Sequence, residues 1–171
     1  DLAADLLANG RTARLYRRLV HDERVATELA ASQSSRELGG TFQILATAAP
    51  GHTLPELEAA IGEAMADLIA AGPTDEELER SRVQAEAAFV YRLRTLGGFG
   101  GKADQLNANN VYRGTPDYFA ADLQRYLDAS SASVRTAVAR WLDPARAVAL
   151  GVVPLGQAAQ ALLGAEVCRP S

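Results

Sequence analysis

The spacing of apolar positions changes at Val25, and that change organises the chain. Upstream, Leu15, Leu19 and Val20 recur at helical intervals while Arg11, Arg14 and Arg18 fall on another face. This predicts a helix running from just after Gly10 to about His21. From Val25 the period becomes two, with Val25, Thr27, Leu29 and Ala31 on one side and Ala26, Glu28 and Ala30 on the other. A strand therefore follows the helix through Asp22–Glu23–Arg24.

Ser32–Gly40 reads as a polar connection, and Thr41–Ala49 alternates again, with Phe42, Ile44, Ala46 and Ala48 facing one way. Two alternating runs joined by a Gly-ended loop predict an antiparallel hairpin. Thr53–Leu54–Pro55–Glu56 and Thr74–Asp75–Glu76–Glu77 are capping-box patterns, each opening a helix. The first carries Leu57, Ile61, Ala64, Met65, Leu68 and Ile69 on one stripe and stops at Gly72–Pro73. The second extends to about Leu96, burying Leu78, Ala85, Phe89, Leu93 and Leu96. Further helices are expected over Lys102–Tyr112, from Thr115–Pro116 onward, and from Ser130 to Trp141–Leu142, the last with Val134, Ala137, Val138, Trp141 and Leu142 on one apolar face. Ala147–Val153 is apolar on both faces, as a central strand is, and Gly156–Leu163 suits a short terminal helix. The order predicts one α+β domain: a mostly antiparallel sheet covered by helices on one face.

Composition narrows the function. The 171 residues fit one domain, and 48% hydrophobic with 22% charged residues is globular usage. A net charge of −4 argues against a nucleic-acid partner. No apolar run approaches the ~20 residues of a membrane-spanning helix. The one cysteine, Cys168, cannot form an internal disulfide. Asp1–Leu7 reads as helical without a cap or initiator Met, so the chain is expected to be a fragment of a longer polypeptide.

Familiar catalytic patterns are missing. The two histidines, His21 and His52, stand apart, with neither HExxH nor HxxEH around them. There is no GxSxG, and Cys168 has no histidine near it in sequence. Gly97–Gly98–Phe99–Gly100–Gly101 lacks the Lys–Ser/Thr ending of a phosphate loop and follows a helix, so it reads as a break between helices. The acids Asp75, Glu76, Glu77 and Glu79 suit a helix first turn. Arg11, Arg14 and Arg18 read as a solvated face.

Four segments carry a family resemblance. Leu7–Ala8–Asn9–Gly10–Arg11–Thr12–Ala13–Arg14–Leu15–Tyr16 resembles a Gly-rich turn followed by Ser-Arg-Leu and an aromatic. Ala70–Ala71–Gly72–Pro73–Thr74–Asp75–Glu76–Glu77–Leu78 resembles a Gly-x-Thr-x-x-Glu-Leu junction. Ala103–Asn107 with Gly114–Phe119, and Ser131–Val134 through Trp141–Leu142, complete the set. The chain thus resembles the C-terminal half of a pitrilysin/insulinase-type bacterial zinc metallopeptidase, an inverzincin with the LuxS/MPP-like half fold, related to mitochondrial processing peptidase.

The resemblance implies two homologous halves closing around an unfolded peptide substrate. The catalytic half, in the same chain or a partner subunit, holds zinc through HxxEH; this segment is expected to bind no cofactor and to be inactive alone. The family's substrate-orienting Arg/Tyr pair corresponds here to Val20 and Thr27, so the pair is absent, supplied by a partner subunit or simply lost. The strand bearing Thr41, Gln43, Leu45 and Thr47 is a candidate peptide-contacting edge. Many bacterial relatives are exported, which implies a periplasmic or other exported location, with a cytoplasmic one left open. A rival reading is an inactive structural or assembly subunit of the same fold, like the core subunits of respiratory complex III; a third is an unrelated ligand-binding module.

Overall fold

The structure is a computed structural model describing residues 1–166; Cys168 lies outside the described residues. Its elements are α1 (Leu2–Ala8), a π-helical segment (Tyr16–Asp22), β1 (Ala26–Ser35), β2 (Gly40–Ala48), α2 (Leu54–Ala71), α3 (Asp75–Arg92), α4 (Lys102–Arg113), α5 (Phe119–Leu127) and α6 (Ser131–Trp141). This is the expected α+β arrangement. Its sheet, among the described residues, is the single antiparallel hairpin β1–β2.

The core forms where the apolar stripes of the helices meet the inner face of the hairpin. Leu7 of α1, Leu15 and Leu19 around the π-helical segment, and Leu68 of α2 are fully buried. Each such side chain contributes about 1.5–3 kcal/mol relative to exposure. Val134 and Val138 of α6 join them, and Phe42, Ile44, Ala46 and Ala48 of β2 pack on the same cluster. Both capping boxes form: Glu56 accepts from the Thr53 amide at 3.2 Å and Glu77 from the Thr74 amide at 2.8 Å.

Several expectations are corrected. The helix before the hairpin is π-helical over Tyr16–Asp22, with the Glu23 amide donating to the Arg18 carbonyl. Arg24 then turns the chain at φ 56°. β1 extends through Ser32–Ser35, because these residues pair with Gln43 back to Gly40; only Arg36–Gly39 forms the turn. A bulge between Ala26 and Glu28 reverses the phase at the start of β1, leaving Ala26 buried and Thr27 exposed.

α3 ends at Arg92, so Leu93 and Leu96 lie beyond it and are exposed. Trp141, at the last turn of α6, is 68% exposed rather than buried. α5 begins at Phe119, not at Thr115–Pro116, because the Thr115 hydroxyl accepts from the Asp117 amide in a separate turn. Gly156–Leu163 holds one 3-10 turn at Ala158–Gln160 instead of a helix.

The largest correction is at Ala147–Val153, which is no central strand. The segment runs extended past the start of α2, with Val148, Leu150 and Val152 between 83% and 96% exposed. A strand apolar on both faces needs neighbours on its edges as well as cover. Here β1 and β2 bond only each other, and neither edge receives this segment.

Candidate functional site

The outer face of the hairpin is polar by construction. Period-two alternation that sends Phe42, Ile44 and Ala46 inward must send Thr41, Gln43, Leu45 and Thr47 outward, and all four are exposed. They stand opposite Ser34, Ser32, Ala30 and Glu28 of β1. The four candidate residues therefore share a face. Among the described residues β2 is bonded to a strand on one side only, which leaves its other edge without a strand partner.

Val20 and Thr27 come out as neighbours of the hairpin but not as a matched pair. Val20 is half-buried against the core cluster. Thr27 occupies the bulge, where its hydroxyl donates to the Thr47 carbonyl at 3.4 Å. Neither presents a cation or a phenol to a peptide.

The histidines are each held by a neighbouring carboxylate. His21 Nδ1 lies 2.8 Å from Asp22, and His52 Nδ1 lies 2.9 Å from Glu56. Among the described residues no three His, Cys, Asp or Glu side chains converge as metal ligands. These residues do not fit a zinc site. The glycine-rich segment is likewise closed to phosphate: the Asp104 carboxylate accepts from the Gly100 amide at 2.9 Å. An anion approaching that amide would displace a carboxylate and meet its charge.

The basic face of the first helix is corrected by the fold. Arg14 is not a solvated side chain but part of a half-buried clamp. Its Nε and Nη2 donate to Glu77 at 2.8 and 2.7 Å, and Nη2 also donates to the Gly72 carbonyl at 2.8 Å. The fork geometry matches a carboxylate on two bonds. The Arg14 guanidinium, ahead of the Thr74 amide, holds the Glu77 carboxyl down to about 2. Arg18 donates to Glu23 at 2.7 Å and to Glu63 at 2.5 Å. Of that stripe only Arg11 stands without a carboxylate partner among the described residues.

A concave surface that the sequence pattern did not reveal lies between the hairpin tip, the start of α1, α5 and α6. It encloses about 1160 Å³. Its lining mixes polar and charged side chains with the partly buried Phe42, the buried Val134 and Val138, and the exposed Trp141. Beneath it Phe89 meets Phe119 and Tyr126 edge-on, with centroids 5.4 and 5.3 Å apart. The Tyr126 hydroxyl donates to the Asp1 carboxylate, and burial raises the phenol above its usual range. Trp141 shares a helical stripe with the buried Val134 and Val138, so the apolar pattern does not mark this surface.

Comparison with known proteins gives this geometry its context. Residues 1–84 match the family model described as Peptidase M16 inactive domain. No curated protein matches the chain. Among solved structures, a protease from Helicobacter pylori superposes with a TM-score of 0.71 at 18% identity, covering 84% of this chain and 34% of that one. The inactive peptidase domain of a candidate zinc protease from Bordetella parapertussis gives 0.70 at 23% identity, covering 85% of this chain and 76% of that one. A peptidase M16 inactive domain from Pseudomonas fluorescens gives 0.61 at 17%, covering 81% and 32%. The chain thus spans about a third of the Helicobacter pylori protease's length.

Proposed function

We propose that this chain, a domain of the pitrilysin-like C-terminal-half type whose residues 1–84 match the Peptidase M16 inactive domain, acts as the non-catalytic wall of a zinc peptidase. The match over residues 1–84 is the observation that carries the reading. In this proposal a homologous catalytic half, in the same polypeptide or a partner subunit, holds the zinc and cleaves. This chain closes the chamber over an unfolded peptide, with the outer face of the hairpin turned toward it. In this reading Val20 and Thr27 stand at the family's orienting positions, and orientation of the scissile bond falls to the partner.

The experiment is reconstitution with the HxxEH-bearing half encoded upstream or in the adjacent reading frame. Unfolded peptide should be cleaved only when both halves are present, and a chelator should abolish cleavage. Cleavage by the 171-residue chain alone would overturn the proposal. A catalytic half fully active without it would instead favour a structural or assembly subunit.

A further inference from the structure

The concave surface beside the hairpin tip differs in charge from the rest of the molecule. The chain carries a net charge of −4, yet four arginines line this surface, Arg36, Arg92, Arg113 and Arg125, against two aspartates, Asp1 and Asp122. Asp122 pairs with Arg125 at 2.9 Å, while the Asp1 carboxylate accepts from the neutral Tyr126 hydroxyl and keeps its charge, so the arginines outnumber the aspartates in the lining. The other three arginines have no carboxylate partner among the described residues. Arg92 and Arg113 instead rest near the Phe89 and Tyr118 rings, at 5.5 and 5.1 Å from the centroids. Stacked guanidiniums keep their hydrogen-bond donors available to a further acceptor.

We propose that this surface is a docking groove for an extended acidic stretch of polypeptide, whose carboxylates are received by Arg36, Arg92 and Arg113. The inference rests on the chamber-wall reading and adds the substrate class. Size admits a peptide: the concavity is open to solvent and holds about 1160 Å³. The apolar surface at Phe42 and the exposed Trp141 suits side chains alternating with the carboxylates. Charge complementarity selects the acid, because a lysine-bearing segment would meet a lining in which four arginines outnumber two aspartates. Thr41, on the outer face of β2, is among the residues that line the groove.

The probe is a labelled ten-residue peptide with glutamate at alternate positions, compared with the same peptide carrying glutamine or lysine there. Its binding to the 171-residue chain is measured by fluorescence anisotropy. The glutamate peptide should bind at least about tenfold more tightly than the glutamine peptide at low salt, and the advantage should shrink as salt is added. Arg36→Gln, Arg92→Gln and Arg113→Gln should each weaken it by roughly two- to fivefold, as exposed ion pairs do. Arg→Lys at the same sites should retain most of the affinity, and Arg11→Gln, outside the groove, should change nothing. Circular dichroism of each variant establishes that the fold is intact.

Equal binding of the glutamate and glutamine peptides, no binding of either, or indifference to all three glutamine variants would overturn the inference. Inorganic phosphate displacing the peptide as well as unlabelled peptide does would also overturn it, by making the groove a general anion site. The chamber-wall reading fails separately, in the reconstitution assay. A chain required there but blind to peptide charge here defeats only the groove's specificity.

Discussion

A glutamate at the third position of a helix ordinarily serves its own first turn, and Glu77 does so by accepting from Thr74. The same carboxylate also takes two bonds from Arg14, which in turn reaches the Gly72 carbonyl. One side chain thus ties the segment before the π-helical turn to the α2–α3 junction. Glu77→Gln leaves Arg14 with a neutral, singly accepting partner. It should cost about 1–3 kcal/mol at neutral pH, measured by urea denaturation. The pH dependence follows from a folded value of about 2 against an ordinary 4.5. The contribution is fully present above about 4.5, is lost as pH falls from there through about 2, and is absent below. The native chain should therefore lose stability over that interval, and Glu77→Gln should lose less. Equal slopes would show that the clamp carries no linkage. The capping role of Glu77 was legible in Thr74–Asp75–Glu76–Glu77, because capping is local. Its pairing with Arg14 was not, because nothing in a helix pattern announces a partner 63 residues away.

At the scale of elements, the hairpin and the helices with strong stripes and caps were readable, since burial there follows a period set by backbone geometry. Leu68 anchors the α2 stripe at 0% exposure. Leu68→Ala should cost about 2–5 kcal/mol, read as a fall in melting temperature of about 2–4 °C per kcal/mol. Where periodicity failed, a single residue or a missing neighbour was responsible. The bulge at Thr27 adds one residue to β1 and reverses which side chains face inward, an event that alternation alone cannot register. Ala147–Val153 has the composition of a buried strand, but composition does not supply a strand beside it. No amide from Val148 to Val153 donates to a backbone carbonyl among the described residues. Hydrogen exchange should find these amides unprotected in the isolated chain while the middle of α2 is strongly protected. Protection at Val148–Val152 matching α2 would mean that the segment pairs after all.

For the molecule as a whole, the telling quantity is apolar surface left without cover. Val148, Leu150, Val152 and Leu155 are at least 83% exposed, and Val83, Val90 and Tyr91 on one side of α3 are more than half exposed. Single exposed apolar side chains are ordinary, but runs of them on an extended segment and on a helix face mark surfaces that meet something. The resemblance to a peptidase C-terminal half is carried by four short segments, two of which fall within residues 1–84, the part that the family model matches, because turn and cap residues recur wherever the same junctions are built. The arginine-lined groove was invisible by the same logic, since Arg36 lies in the hairpin turn, Arg92 at the end of α3 and Arg113 at the end of α4, and only tertiary packing places all three on one surface. If the chain is one wall of a two-part chamber, part of this apolar surface is the face that a catalytic half covers. An environment-sensitive dye such as ANS should then fluoresce strongly with the chain alone, and the signal should fall when the catalytic half is added in equimolar amount. The dependence should be steep near one-to-one, because a closed interface of standard size buries about 800 Å² on each partner. A signal that stays the sum of the separate halves would mean the two do not close on each other, and the wall reading would fall with it.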